Sequence, residues 1–192
     1  MAILGDKEYF KGIGDIKFEG KEPDNPFAFK YYNPDQVVAG KTMSEHFKFA
    51  IAYWHTFCGQ GGDPFGPGTQ NFAWDRSSDP IQAAKDKADA AFEFISKMGF
   101  DYFCFHDFDL IQEGATFSES EKRLATITDY IKDKQSNSGI KLLWGTANCF
   151  SHPRYMGCNI LSVRYSPDRL DAVPLNAGTP QQEISQVPRQ SS

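Results

Sequence analysis

Apolar positions recur at helical spacing in two stretches of the chain, and the first lies between Asp79 and Gly99. Asp79 is a good N-cap residue, Pro80 suits the first helical position, and Gly99 provides a stop. The apolar side chains recur every three or four residues, which predicts one buried face with the charged residues largely elsewhere. The predicted buried positions are Ile81, Ala84, Ala88, Phe92 and Ile95.

The second helical pattern follows Gly114. Ser118 and Glu121 have the three-residue spacing of a capping box, and Gly139 ends the pattern. The predicted buried positions of this helix are Leu124, Ile127 and Ile131.

Short apolar runs precede, separate and follow the two helices, at 49–56, from Tyr102 to His106, and at 140–146. Such runs are typical of buried strands, and a short helix at 43–47 leads into the first of them. Strands that alternate with helices predict an α/β fold with a parallel sheet and right-handed crossovers.

The two ends of the chain lack this periodicity. Residues 1–40 combine many Gly and Pro with aromatic islands, which predicts an N-terminal arm that packs on a surface of this chain or another. Residues 158–192 are rich in Pro, Gln and Ser and have no amphipathic face, which predicts a disordered tail unrelated to the rest. The predicted α/β part covers 41–157.

A candidate site for chemistry lies where the second strand ends. His106 closes that strand, and Asp107 and Asp109 follow it. α/β proteins bind ligands at the carboxyl ends of their strands, and an Asp three residues after a His can hold one ring nitrogen. Because His-x-x-Asp is a weak pattern, a solvated loop remains an alternative. A small hydrolase is another, although no Ser or Cys lies in a nucleophile-elbow motif.

A glycine-rich loop, 59–68, follows the first strand. It matches neither phosphate-binding motif, and its two prolines lack the amides that a phosphate needs, so nucleotide binding is disfavoured. The loop carries a single ring, Phe65, at its tip. An aromatic side chain held on a rigid turn is expected to dock into a neighbouring molecule.

Composition narrows the classes of function. The aromatic content of 15% favours a pocket or interface walled by rings, whereas the net charge of -5 and the lack of a basic run exclude nucleic acid and anionic membrane surfaces as partners. No apolar stretch could span a membrane, no signal-peptide pattern is present, and the cysteines are scattered, which together predict a soluble cytoplasmic protein. The cysteines are Cys58, Cys104, Cys149 and Cys158.

The chain from about Tyr9 to Met156 resembles the N-terminal part of xylose isomerases, in particular the longer class with an extended N-terminal arm. The similarity rests on short segments that occur in the family's order. These segments are Lys17–Gly20, Asn25–Phe29, Trp54–Phe57, Gly62–Gly66, Phe105–Leu110, Leu143–Asn148 and His152–Met156.

This resemblance implies a TIM (β/α)8 barrel of which only about the first three strands are present. It further implies an enzyme that converts D-xylose to D-xylulose by a hydride shift, assisted by two divalent cations (Mg²⁺, Mn²⁺ or Co²⁺). The family also implies a homo-oligomer, expected to be a tetramer.

The resemblance also implies roles for particular residues. His106 would assist opening of the sugar ring, and Asp109 would orient it. Phe65 would enter the site of a neighbouring subunit. The residues expected to line the sugar pocket are Trp54, Thr146 and Phe150, for which core packing of a barrel is the alternative.

The family's metal ligands and its catalytic Lys lie on later strands, beyond the point where the resemblance stops. No residue of this chain is therefore assigned as a metal ligand, and the chain alone is expected to be a poor enzyme. It would be a short isoform or the product of a truncated or mis-spliced gene. The alternative function is a non-catalytic fragment that associates with full-length isomerase subunits.

Overall fold

The computed structural model describes residue 5 and residues 7–148. The tail predicted at 158–192 and the candidate Phe150 therefore lie outside the described residues, and the division into arm, α/β part and tail stays a prediction. The elements in chain order are β1 (Val37–Val38), β2 (Lys41–Thr42), α1 (Met43–His46), β3 (Ala50–Ala52), α2 (Tyr53–Thr56), α3 (Pro80–Met98), β4 (Tyr102–His106), α4 (Asp107–Leu110), α5 (Phe117–Ser138) and β5 (Lys141–Thr146).

A three-stranded parallel sheet of order β3-β4-β5 forms the centre of the described fold. The predicted α/β class with a parallel sheet is thus confirmed. Ala52 is paired with Cys104, and His106 is paired with Thr146. An irregularity between Phe103 and Cys104 shifts the register against β5. The carboxyl ends of β4 and β5 therefore lie side by side.

Helix α3 has the predicted ends. The Asp79 side chain accepts a hydrogen bond from the amide of Ile81 at 3.0 Å, and Gly99 adopts a left-handed conformation with φ of 68°. Phe92 packs edge-on against Phe103 of β4, with ring centroids 5.4 Å apart. Both rings are fully buried, so α3 covers one face of the sheet and builds the core there.

The predicted strand at 49–56 is wrong in its length, because β3 ends at Ala52 and α2 begins at Tyr53. Pairing with β4 stops at Ala52, and the chain then turns into a helix. Tyr53 and Phe57, one helical turn apart, both enter the core, with ring centroids 5.1 Å apart. Burial of these two rings explains why the helix replaces the end of the strand.

The predicted start of the second helix is also wrong, by two residues. Thr116, not Ser118, caps α5, and its side chain accepts from the amide of Glu119 at 3.2 Å. The carboxylate of Glu119 in turn accepts from the amide of Ala115 at 2.8 Å and pairs with Arg123. The pairs Thr116–Glu119 and Ser118–Glu121 have the same three-residue spacing. The contacts of Glu119 show that the earlier pair begins the helix.

The charges of α3 lie on a face other than the apolar one, as predicted, but this charged face is buried as well. On one side the N-terminal segment covers it: the Glu93 carboxylate accepts from the amides of Tyr9 at 2.7 Å and Phe10 at 3.0 Å. Lys97 lies 2.9 Å from Glu93 and 3.1 Å from Glu8. Glu93 and Lys97 are thereby buried as a pair, with satisfied hydrogen bonds.

On the other side, α5 covers the charged face. Asp89 forms an ion pair with Lys134 and accepts a hydrogen bond from the Tyr130 hydroxyl at 2.7 Å. The ammonium of Lys134 also lies over the Tyr130 ring, 4.9 Å from its centroid. Asp89 and Lys134 are both buried, so the contact between the two helices has a charged centre.

Glu93→Gln is expected to lower the free energy of unfolding near neutral pH by about 2 kcal/mol, because it weakens charge-assisted hydrogen bonds. Burial alone would raise the pKa of Glu93, but the hydrogen bonds from Lys97 and from the amides of Tyr9 and Phe10 outweigh it and lower that pKa below 4.5. A lowered folded-state pKa contributes stability above the unfolded value, and this contribution is lost as the pH falls through the folded-state pKa.

The difference in the free energy of unfolding between wild type and Glu93→Gln should therefore shrink as the pH falls below 4.5. Urea denaturation followed across this range measures it. Glu121→Gln, at an exposed position of α5, is the matched control and should leave stability nearly unchanged at each pH. A difference for Glu93→Gln that stays constant down to about pH 3 would contradict the prediction.

Candidate active site

The candidate site lies at the carboxyl edge of the parallel sheet. His106 ends β4, Thr146 ends β5 beside it, and Trp54 lies in α2, directly after β3. Each position follows from the topology, because parallel strands bring their carboxyl ends to the same edge. The sheet thus brings together three of the residues that the sequence singled out.

His106 and Asp109 contact each other. The Oδ2 atom of Asp109 accepts from the main-chain amide of His106 at 2.7 Å and lies 3.1 Å from its Nδ1 atom. The two side chains are only 13% and 11% exposed. An ionised carboxylate can only accept, so this contact is a hydrogen bond in the tautomer whose proton lies on Nδ1 and whose basic nitrogen is Nε2.

Two indole rings flank the imidazole. The ring centroid of Trp54 lies 4.7 Å from that of His106, and the ring of Trp144 lies 5.7 Å away at an interplanar angle of 81°. The two indoles are 5.4 Å apart. Trp144 is 41% exposed, so a ligand can reach this aromatic wall. Such a wall beside a few polar groups is typical of small-molecule sites.

The remaining candidates differ in their surroundings. Thr146 is exposed beside His106, whereas Phe150 lies outside the described residues. Phe65 is 97% exposed at the tip of a turn. The Asp63 side chain accepts from the amides of Phe65 at 2.8 Å and Gly66 at 3.1 Å, which keeps the turn rigid. This ring is therefore presented to the solvent rather than to the aromatic wall.

Sequence reasoning missed Trp144, which a local pattern could have indicated, whereas it did single out Asp107. Trp144 precedes Thr146 by two positions, so strand alternation places both side chains on the same face of the sheet. Asp107 accepts from the amide of Asn148 at 2.9 Å and thereby joins α4 to the segment after β5. An Asp directly after a strand-ending residue is a weak signal for such a link.

Two further residues near the pair, Lys87 and Cys58, contact the main chain of Asp109. They lie 22 and 51 positions before it in the sequence. No local pattern connects them to the site.

The described residues do not fit a site for two divalent cations. Among them, no group of three or more His, Cys, Asp or Glu side chains converges in a way that could hold a metal ion. Hard cations need several convergent oxygen ligands. The Oδ2 atom of Asp109 and the Oδ1 atom of Asp107 each already accept two hydrogen bonds. These two oxygen atoms are thus already used in hydrogen bonds within the protein.

Within the part of the chain that the structure describes, no helix combines the length and the apolar character needed to cross a membrane.

A parallel sheet with a His–carboxylate pair and an aromatic wall at its carboxyl edge places the chain among α/β proteins with an enzyme-like site. No family model matches the chain. Over 153 residues, 80% of its length, it is 57% identical to a xylose isomerase of Phocaeicola vulgatus and 56% identical to one of Bacteroides thetaiotaomicron. A xylose isomerase 2 of Xanthomonas campestris pv. campestris is 55% identical over 155 residues, 81% of this chain.

The chain belongs to the xylose isomerase family. It spans 35% of the length of each of these three relatives.

Proposed function

We propose that the described part of the chain forms the ring-opening side of a xylose isomerase site, which binds an aldose such as D-xylose. In this proposal β3, β4 and β5 are the first three strands of a TIM (β/α)8 barrel, whose sites lie at the carboxyl ends of the strands. The observation that carries the proposal is the His106–Asp109 pair, packed against Trp54 at that edge.

Ring opening moves one proton from the anomeric hydroxyl to the ring oxygen while the bond between C1 and the ring oxygen breaks. Nε2 of His106 would accept the first proton and return it to the ring oxygen. Asp109 would keep Nδ1 protonated and stabilise the imidazolium formed in between. Trp54 and Trp144 would pack against the sugar and exclude water, with Thr146 at the rim.

The hydride shift between C1 and C2 is not assigned to the described residues. In the family it is assisted by two divalent cations, which polarise the sugar oxygens. The described residues do not supply a ligand set for these ions, so the proposal is confined to sugar binding and proton transfer.

Tryptophan fluorescence tests sugar binding, because the sequence contains only three Trp residues and two of them flank His106. D-Xylose is expected to change the emission of the wild-type chain saturably. Trp54→Phe should lose most of this response. Trp74→Phe is the matched control, since Trp74 is buried and its Nε1 atom donates to the Phe57 carbonyl at 3.1 Å. A response that depends on Trp74 instead of Trp54 would refute the proposed site.

A second candidate function is association with longer xylose isomerase subunits. It is favoured by the edge of the sheet: in the described part of the chain β5 pairs with β4 alone, and Leu143 and Trp144 are 42% and 41% exposed. An exposed edge strand is a template for pairing with another chain. The rigid turn that presents Phe65 provides a second apolar contact for a homo-oligomer.

Mixing the chain with full-length xylose isomerase from Bacteroides thetaiotaomicron tests this association by size-exclusion chromatography. The chain is expected to co-elute with the larger subunits, and Phe65→Ala should weaken binding about tenfold or more, as loss of a buried aromatic anchor does. Phe117→Ala, which removes a partly exposed ring from α5, is the control and should bind like wild type. Separate elution at all concentrations would exclude this function.

A further inference from the structure

Two side chains from outside α4 converge on the main-chain carbonyl of Asp109. The Nζ atom of Lys87, in the middle of α3, donates to this oxygen at 2.9 Å. The Sγ atom of Cys58 donates to the same oxygen at 3.4 Å, and Lys87 and Cys58 are themselves 3.6 Å apart. The carbonyl of a residue in the candidate site thus has an ammonium and a thiol as partners.

The Asp109 carbonyl lies near the end of a short helix, where it needs a hydrogen-bond partner from outside the helix. Helix α4 spans only Asp107–Leu110, and the last carbonyls of a helix have no partner within the helix. An ammonium is a strong donor for such an oxygen, because its charge shortens and strengthens the hydrogen bond. Lys87 therefore fixes the peptide group that follows Asp109.

Asp109 is consequently held at two points. Its carboxylate is bound by the amide and the Nδ1 atom of His106, and its carbonyl is bound by Lys87 and Cys58. Asp109 is 8% exposed, so water has little access with which to replace either set of contacts. Loss of the contacts to the carbonyl would free the main chain of Asp109 to shift relative to α3, and the carboxylate would shift with it.

The protonation of Cys58 agrees with its role as a donor. Burial raises the pKa of the Cys58 thiol, and this effect outweighs the nearby Lys87 ammonium, which lowers it. The thiol therefore keeps its proton and can donate to the Asp109 carbonyl.

We propose that Lys87 is a positioning residue that, through the main-chain carbonyl of Asp109, holds the Asp109 carboxylate on Nδ1 of His106 and so sets the tautomer of the imidazole. The effect of Lys87 on sugar ring opening rests on the function proposed above. The geometric effect on His106 is independent of that function.

Nuclear magnetic resonance of the full 192-residue chain with isotope-labelled histidine tests the proposal. The His106 signals are assigned by their loss in His106→Gln. In Lys87→Met, the Nδ1 proton of His106 is expected to exchange with water about tenfold faster, and the ring nitrogen shifts should move toward a mixture of tautomers. Lys87→Arg keeps a charged donor and should largely restore the wild-type spectrum.

Lys85→Met is the matched control, because Lys85 lies on the same helix but contacts the Tyr130 ring instead of α4. Its His106 signals should match wild type. If Lys87→Met lowers stability to urea while the Nδ1 proton of His106 keeps its exchange rate, Lys87 is merely structural and the proposal is overturned.

Cys58→Ala provides a second measurement should Lys87→Met fail to fold. Loss of this weaker donor is expected to accelerate exchange of the same proton by about two- to threefold, and an unchanged rate would count against the proposal. If these variants shift the His106 tautomer as expected but the wild-type chain does not accelerate sugar ring opening, the positioning role stands and the proposed function fails.

Discussion

His106→Asn is expected to reduce the acceleration of D-xylose mutarotation by the chain about a hundred- to ten-thousand-fold. Mutarotation requires opening of the sugar ring, so it reports the proposed proton transfer without the hydride shift. Asn keeps a polar side chain of similar reach but cannot accept and return a proton. Polarimetry of freshly dissolved α-D-xylose, with and without the protein, measures the rate.

His55→Asn is the matched control for this experiment. His55 is an exposed imidazole next to Trp54 in sequence, and its loss should leave the rate unchanged. A wild-type chain that opens the sugar no faster than buffer would contradict the proposed function. A His106→Asn variant that is as fast as wild type would show that another group transfers the proton.

Asp89→Ala is expected to lower the free energy of unfolding by about 3–5 kcal/mol, because it leaves the buried Lys134 ammonium without its carboxylate. The variant also removes the acceptor of the Tyr130 hydroxyl. Such a loss is a large fraction of the stability of a small domain. Urea denaturation followed by fluorescence measures it, and substantial unfolding without denaturant would be an extreme form of the same result.

Two variants separate this effect from a general loss of charge. Asp129→Ala removes a carboxylate from an exposed ion pair with Lys132, 3.1 Å long, and should cost about 0–1 kcal/mol. The double replacement Asp89→Leu with Lys134→Leu removes both buried charges and should recover most of the stability. Equal losses for Asp89→Ala and Asp129→Ala would show that the buried pair has no special role.

The helices were predictable because their signals act over short distances. Asp79 and Gly99 end α3 where their side-chain chemistry and backbone freedom suggest, and His106 ends its strand as the apolar run indicates. One error arose where two local solutions were equivalent. Thr116 and Ser118 can each cap a helix with a Glu three residues later, and only the wider contacts of Glu119 distinguish them.

The candidate site was predictable in part for the same reason. His106 and Asp109 are three residues apart, so a single turn of chain brings them together. Lys87 and Cys58 contact Asp109 because α3 and the residues that follow α2 pack against α4, which no local pattern encodes. The aromatic wall likewise depends on the register between β4 and β5, including the irregularity after Phe103.

By itself, the amino-acid sequence determined the order of the three sheet strands and the two long helices, the parallel α/β class and the His106–Asp109 pair, because caps, periodicity and turns depend on residues at most a few positions apart. Only the tertiary structure decided that the charged face of α3 is buried, since covering it requires the N-terminal segment and α5 to pack there. It also decided which distant groups hold Asp109. Burial and long-range hydrogen bonds are properties of the packed fold, and no single stretch of the chain determines either of them.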